Sequence, residues 1–141
     1  MFARLVLPFI ISVAVVMAAA CAGGASPAPA SKTDLQIEVW PQGTDKGGSQ
    51  SWTLRCDPAG GTLPNADAAC RALDALKDPF APVPKDAMCT QIYGGPAVAR
   101  VTGTFRDQRI DTTFRRTDGC QVDRWEKHRF LFPVDVSHWQ G

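Results

Sequence analysis

The chain has 141 residues, with 15 Lys and Arg against 14 Asp and Glu, 21% charged and 45% hydrophobic. That length suits one domain, and the composition suits a packed core rather than a disordered chain. A formal charge of +1, with no Lys/Arg run, is not the footprint of a nucleic-acid binder. No G-x-G-x-x-G or P-loop motif is present, so no nucleotide cofactor is expected.

Arg4 is the first charge in the chain, and the next is Lys32. Residues 5–20 are uncharged and mostly apolar, contain Pro8, and end on Ala18, Ala19 and Ala20. A membrane span wants about 20 apolar residues. A short positive start, an apolar middle and a small-residue end describe a signal peptide over residues 1–20. Ala18-Ala19-Ala20-Cys21 resembles a bacterial lipobox, with Ala18 where Leu is commonest. Cys21 is therefore the expected lipidation site and the expected contact with the membrane; simple secretion is the other reading. Residues 21–33 are small and Pro-containing, the composition of a tether. Residues 34–141 form the expected domain, on the extracellular side of the membrane or secreted. Removing residues 1–20 takes Arg4 away, and the remaining acidic and basic side chains balance.

Five Cys are present. With Cys21 set aside, Cys56, Cys70, Cys89 and Cys120 remain, an even set in an exported protein, open to three pairings. Sequential pairing would close two modest loops, each stabilising by about 3–4 kcal/mol in the chain-entropy model. No C-x-x-C occurs, and His128 and His138 lie off any ligand spacing, so no metal is expected.

Polar and apolar residues alternate over 34–40, predicting a half-buried strand. Residues 41–48 are turn-forming. Alternation resumes over 50–56, with Trp52, Leu54 and Cys56 on one face, so the two strands should form a hairpin with a long loop. Residues 57–64 read as loop. A helix is expected over 65–77: Asn65 as cap, Asp67 in the first turn, Lys77 in the last, and Pro79 as stop. Its apolar stripe is Ala66, Ala69, Leu73 and Leu76, with Cys70 beside it. Residues 78–84 are stiff and Pro-rich. Strands are expected over 97–106 and along Ile110, Thr112 and Phe114, joined by a turn at 106–109. A last strand is expected over 129–132, and residues 133–141 show no period. Strands dominate, so the class is α+β with an antiparallel sheet.

Trp40 and Trp52 are expected in the core. Trp125 and Trp139 are expected to cover a sheet edge or meet a partner. His128 and His138 are expected at the surface, and Arg115-Arg116 as a solvated strand end. No G-x-S-x-G and no Ser-His-Asp arrangement can be argued, so no catalytic residue and no enzyme activity are expected.

Met88-Cys89-Thr90-Gln91-Ile92-Tyr93-Gly94-Gly95-Pro96 lies between the Pro-rich segment and a strand. It contains the single Tyr of the chain. Here the chain resembles the subtilisin inhibitor-like family of actinobacterial exported proteins. The resemblance is carried by Leu54-Arg55-Cys56-Asp57-Pro58-Ala59-Gly60-Gly61-Thr62-Leu63-Pro64, by Ala68-Ala69-Cys70-Arg71-Ala72-Leu73, and by Met88-Cys89-Thr90-Gln91-Ile92-Tyr93. It continues through Gly103, Phe105 and Arg109 to Cys120, and covers residues 35–132.

The resemblance implies sequential disulfides, Cys56–Cys70 and Cys89–Cys120. It implies a five-stranded antiparallel sheet with two helices on one face, and a possible homodimer. It also implies that Met88, Cys89, Thr90, Gln91, Ile92 and Tyr93 form a reactive-site loop. Such a loop binds a subtilisin-like or trypsin-like serine endopeptidase as a substrate would, with Gln91 in the specificity pocket and Gln91–Ile92 as the slowly cut bond. A loop pinned by a disulfide loses little entropy on docking, and Tyr93 is a candidate aromatic anchor.

The chain also departs from the family pattern. Gln91 stands where members place Met, Lys, Arg or Leu, and Thr90 where Pro is common. Gly94-Gly95-Pro96 replaces Asp-Pro, and Arg115-Arg116-Thr117-Asp118-Gly119 differs from the family's stretch before the last Cys, whose side chains help brace the loop. Gln carries no charge for a trypsin-type pocket. The second functional reading is a non-inhibitory envelope lipoprotein that uses a diverged domain as a binding module, since fold alone does not fix function.

Overall fold

The computed structural model describes residues 33–137 together with Gly23 and Gly24. The expectations placed on residues 1–20, Cys21, His138 and Trp139 lie outside the described residues. Among the described residues no helix is long and apolar enough to cross a membrane.

β1 (Thr33–Trp40) lies at the centre of an antiparallel sheet, hydrogen-bonded on one side to β2 (Gln50–Cys56) and on the other to β4 (Val98–Phe105). β3 (Gly60–Gly61) pairs with β2 at one edge and β5 (Gln108–Phe114) with β4 at the other, giving the order β3-β2-β1-β4-β5. Period-two alternation decides the faces. Leu35, Ile37 and Val39 of β1, Leu54 of β2, Ala99 and Val101 of β4 and Phe114 of β5 are all buried on one face. The opposite face carries Gln36, Glu38, Arg100, Thr102 and Asp111, with an exposed Arg100–Asp111 ion pair at 2.6 Å.

The strand over 129–132 expected from alternation is not formed. Arg129–Leu131 is a short 3-10 helix, held by Leu131 N–H to the His128 carbonyl and Phe132 N–H to the Arg129 carbonyl. The fifth strand is the Gly60–Gly61 pair, which was expected to be loop. It has no side chains to alternate, so no period could mark it.

α1 (Ala66–Ala75) covers the β2 end of the sheet, burying Ala69, Cys70 and Leu73. It is shorter than 65–77. Asn65 sits at the cap position in a left-handed conformation, φ 55°, and its side chain makes no capping bond. Lys77 lies beyond the helix because Leu76 turns extended. Its place at the helix's carbonyl end is taken by Arg106. Arg106 donates to the carbonyls of Asp74, Leu76 and Lys77 at 3.2–3.4 Å, where a cation is favoured. Arg106 and Asp107 both have positive φ, 48° and 63°, and form the two-residue turn that fixes Phe105 opposite Gln108.

α2 (Gly119–Lys127) is the second helix. Asp118 caps it by accepting the Gln121 N–H at 3.0 Å. Three expectations for the last third of the chain are corrected here. Trp125 is 1% exposed and packs in the core against Phe132, with ring centroids 4.6 Å apart. His128 is buried, not at the surface, beside the rings of Phe80, Phe114 and Phe130. Arg116 is buried while Arg115 is exposed. Trp40 and Trp52 are only half-buried. Trp52 packs against the rim of the core.

Candidate functional site

Disulfides join Cys56 to Cys70 and Cys89 to Cys120. The first ties the end of β2 to α1. The second ties the segment 88–96 to the start of α2. That segment has no helix or strand, and it enters the sheet at Val98.

Apolar side chains leave water when the fold lets them. Among the described residues, the large apolar side chains that stand exposed are Met88 at 99%, Ile92 at 60% and Tyr93 at 60%. All of them lie within this short stretch. Thr90 and Gln91 between them are exposed too, and Cys89 is half-buried. The structure therefore brings all six residues singled out from the sequence onto one surface ridge.

The ridge is held from beneath at three points, and all three lie within residues 116–120. The Thr90 carbonyl accepts the Gly119 N–H at 2.9 Å. The Gly94 N–H donates to the Arg116 carbonyl at 2.7 Å. The Cys89–Cys120 disulfide closes the incoming side. Gln91, Ile92 and Tyr93 thus bow outward between a fixed residue 90 and a fixed residue 94. Both contacts need glycine for space. A Cβ on Gly119 would collide with the Thr90 hydroxyl, and one on Gly94 would come 2.7 Å from the Val122 methyl and 3.1 Å from Arg116 Nε.

Sequence reasoning marks residues 115–119 as a departure from the family's loop-bracing stretch but does not single out Arg116, Gly119 or Arg124 as supports. Arg124 fixes the approach to the ridge. Its guanidinium donates to the carbonyls of Ala81 at 3.0 Å and Thr113 at 2.8 Å and to the Thr112 hydroxyl at 2.8 Å, and stacks 3.9 Å from the Phe114 ring. Burial pulls its pKa below the usual arginine value. The residue 78–84 segment is therefore tied to β5 through one side chain. The available signal was slight: Gly119 directly precedes Cys120, and a helical frame from Asp118 places Arg124 and Trp125 together.

On the outgoing side, a surface cleft of about 310 Å³ is lined by Tyr93 and Pro96 together with Gly43, Thr44 and Asp45 of the β1–β2 loop. Cys89, Asp118 and Cys120 place potential metal ligands within 4.8 Å of one another. Both sulfurs are committed to the disulfide and the Asp118 carboxylate to the helix cap, so this cluster is a structural joint.

A family model for subtilisin inhibitor-like domains matches residues 29–117. The chain belongs to the subtilisin inhibitor-like family. Subtilisin inhibitor-like protein 3 of Streptomyces coelicolor is 46% identical over 68 residues, which is 46% of this chain and 61% of that protein. The matched stretch therefore spans less than two thirds of that relative. A chain of the crystal structure of Streptomyces caespitosus sermetstatin in complex with Bacillus licheniformis subtilisin is similar at 20% identity and a TM-score of 0.46, covering 72% of this chain and 97% of that one. The family match ends three residues before Cys120, so α2 and the tail behind it lie beyond the matched span.

Proposed function

We propose that this protein inhibits serine endopeptidases of the subtilisin class by presenting residues 88–93 as a substrate that is hard to release. The observation that carries the reading is the combination of exposed Met88, Ile92 and Tyr93 with a backbone fixed on both sides of Gln91-Ile92. An ordinary loop of this exposure would be floppy and would be cut. Here the ordering entropy of docking is already spent by the fold, which raises affinity.

Gln91 is the residue that enters the protease's specificity pocket, and Gln91–Ile92 is the bond presented to its nucleophile. After attack on the Gln91 carbonyl, the two new ends stay held, one through Cys89 and Thr90 and the other through Gly94. The Ile92 amine therefore remains beside the acyl carbon and re-forms the bond. Ile92 is stiff at χ1 and adds to that persistence. Gln91 brings no charge, so a trypsin-like pocket with a buried carboxylate gains nothing from it. Its amide needs hydrogen bonds in whatever pocket it enters.

The signal-like residues 1–20 and the small-residue tether support a lipid on Cys21. The domain would then sit on the outer side of the cell membrane and act on proteases close to the surface.

The test is a titration of the oxidised full chain, held in mild detergent, against subtilisin and trypsin. Stoichiometric loss of subtilisin activity, with the Gln91–Ile92 bond largely intact by mass spectrometry, is the expected result. Full protease activity with no complex would overturn the reading. For the anchor, the chain made in an exporting bacterium should carry acyl mass at Cys21, and Cys21→Ala should release it into the medium.

A further inference from the structure

Arg116 carries an inference about how the ridge is held, and it rests on the function proposed above. Arg116 is 4% exposed, in a stretch that composition marks as a solvated strand end. Its guanidinium donates to the Val136 carbonyl at 3.2 Å and to Glu126 Oε1 at 3.5 Å, and lies 5.8 Å from the centre of the Trp125 ring. Its Nε is buried with no hydrogen-bond partner among the described residues. Leaving a donor buried and unpaired is destabilising, so packing around this side chain is set by something other than optimal pairing.

What surrounds it supplies that reason. The Arg116 carbonyl is the acceptor for Gly94 N–H, the contact that fixes the outgoing side of the ridge. The Arg116 side chain also occupies the space beside Gly94, because a Cβ on Gly94 would lie 3.1 Å from Arg116 Nε and 3.2 Å from Arg116 Cβ. The far end of the same side chain is gripped by the tail at Val136 and by α2 at Glu126.

We propose that Arg116 is a positioning residue for the Gln91–Ile92 bond. Its buried guanidinium locks its own backbone carbonyl under Gly94, and so makes the 129–137 tail part of the support of the ridge. The incoming side has a covalent tie in Cys89–Cys120, whereas the outgoing side depends on this side chain. The cut-and-rejoin equilibrium at Gln91–Ile92 is then sensitive to Arg116 in a way that first capture of the protease is not.

The test compares the full oxidised chain with Arg116→Met, which keeps most of the stem but removes the guanidinium, and with the milder Arg116→Lys. Two readouts are used: hydrogen exchange of the Gly94 amide, and the rate of Gln91–Ile92 cleavage by subtilisin beside the initial inhibition constant. Losing one net hydrogen bond is worth a factor of about ten. Arg116→Met should therefore speed Gly94 exchange about tenfold while amides in the middle of β1 and β4 change less than about twofold. It should speed cleavage by a similar factor with little change in initial inhibition. Arg116→Lys should fall between, and carries both readouts if Arg116→Met does not fold. Unchanged Gly94 exchange and cleavage, or equal loosening of β1 and β4, would overturn the proposal. If the unmodified chain is neither an inhibitor nor cut at Gln91–Ile92, the proposed function fails, and Gly94 exchange still decides the role of Arg116.

Discussion

The Thr90 carbonyl accepts the Gly119 N–H at 2.9 Å, and the first residue of α2 has no room for a side chain against Thr90. This one contact sets the height of the exposed ridge above the helix. It lies directly between the disulfide at Cys89–Cys120 and the outward bow at Gln91. The platform of residues 116–120 is thus matched to the ridge by backbone, by covalent bond and by the absence of a side chain.

Gly119→Ala should lift Thr90 off this platform. Overpacking of this kind costs about 1–3 kcal/mol where neighbours cannot move, and here the neighbour is a loop that can. The expected outcome is a modest fall in unfolding free energy, near the lower end of that range, with a clear rise in the rate of cleavage at Gln91–Ile92. Chemical denaturation and timed digestion with subtilisin measure the two separately. Retained slow cleavage in Gly119→Ala would show that the contact does not restrain the bond.

The Cys89–Cys120 crosslink spans 31 residues and Cys56–Cys70 spans 14. In the chain-entropy model the longer loop is worth about 3–4 kcal/mol and the shorter about 3 kcal/mol. Replacing Cys89 and Cys120 by Ser should therefore lower stability by that amount and also free the incoming side of the ridge. Replacing Cys56 and Cys70 should lower stability similarly but leave a slowly cut loop in whatever fraction stays folded. Urea unfolding combined with digestion near neutral pH distinguishes the pairs.

His128 makes stability depend on pH. Burial pushes its pKa below the ordinary histidine value; the Arg124 carbonyl, accepting from Nδ1 at 2.7 Å, opposes the shift in part, and the Arg124 charge adds to it. The unfolded chain therefore binds a proton that the folded chain refuses. Stability is highest above about pH 6.5 and falls as pH drops from there to the folded pKa, by up to about 1.4 kcal/mol per pH unit. Below the folded pKa this contribution is flat. His128→Gln should flatten the slope between pH 7 and 5 relative to the parent, as read by urea midpoints at each pH. A slope unchanged by the substitution would assign the dependence to other groups.

Much of the fold was legible because its signals are periodic. Leu35, Ile37 and Val39 alternate with polar residues in β1, and Trp52, Leu54 and Cys56 do the same in β2. The Cys spacing and the block around Cys56 located the candidate ridge before any geometry. Other parts had no local signal. Gly60 and Gly61 pair as a strand only because β2 offers an edge. Phe130 and Phe132 alternate like a strand, yet the 3-10 turn at Arg129–Leu131 buries Leu131 and Phe132 against α1 and Trp125. α2 is rich in charge, and its burial of Arg124 and Trp125 follows from partners on β5 and in the tail. Buried Arg116 donates to the carbonyl of Val136, twenty residues away, a partner that no window of sequence can report. Asn65 has the right chemistry for a cap but the wrong backbone, since a left-handed residue cannot turn its side chain to the helix amides.

The central claim is that Gln91 enters the protease pocket and that Gln91–Ile92 is the presented bond. The most direct measurement is the preference of Gln91→Lys against the parent chain, read as inhibition constants for trypsin and subtilisin under one set of conditions. A lysine placed in a pocket with a buried carboxylate gains a charge-assisted contact, worth about 1.5–3 kcal/mol or a factor of about ten to a hundred. Gln91→Lys should therefore tighten trypsin inhibition by that factor, with slow cleavage after residue 91. An unchanged preference, or cleavage at another bond, would contradict the substrate-like reading of this loop.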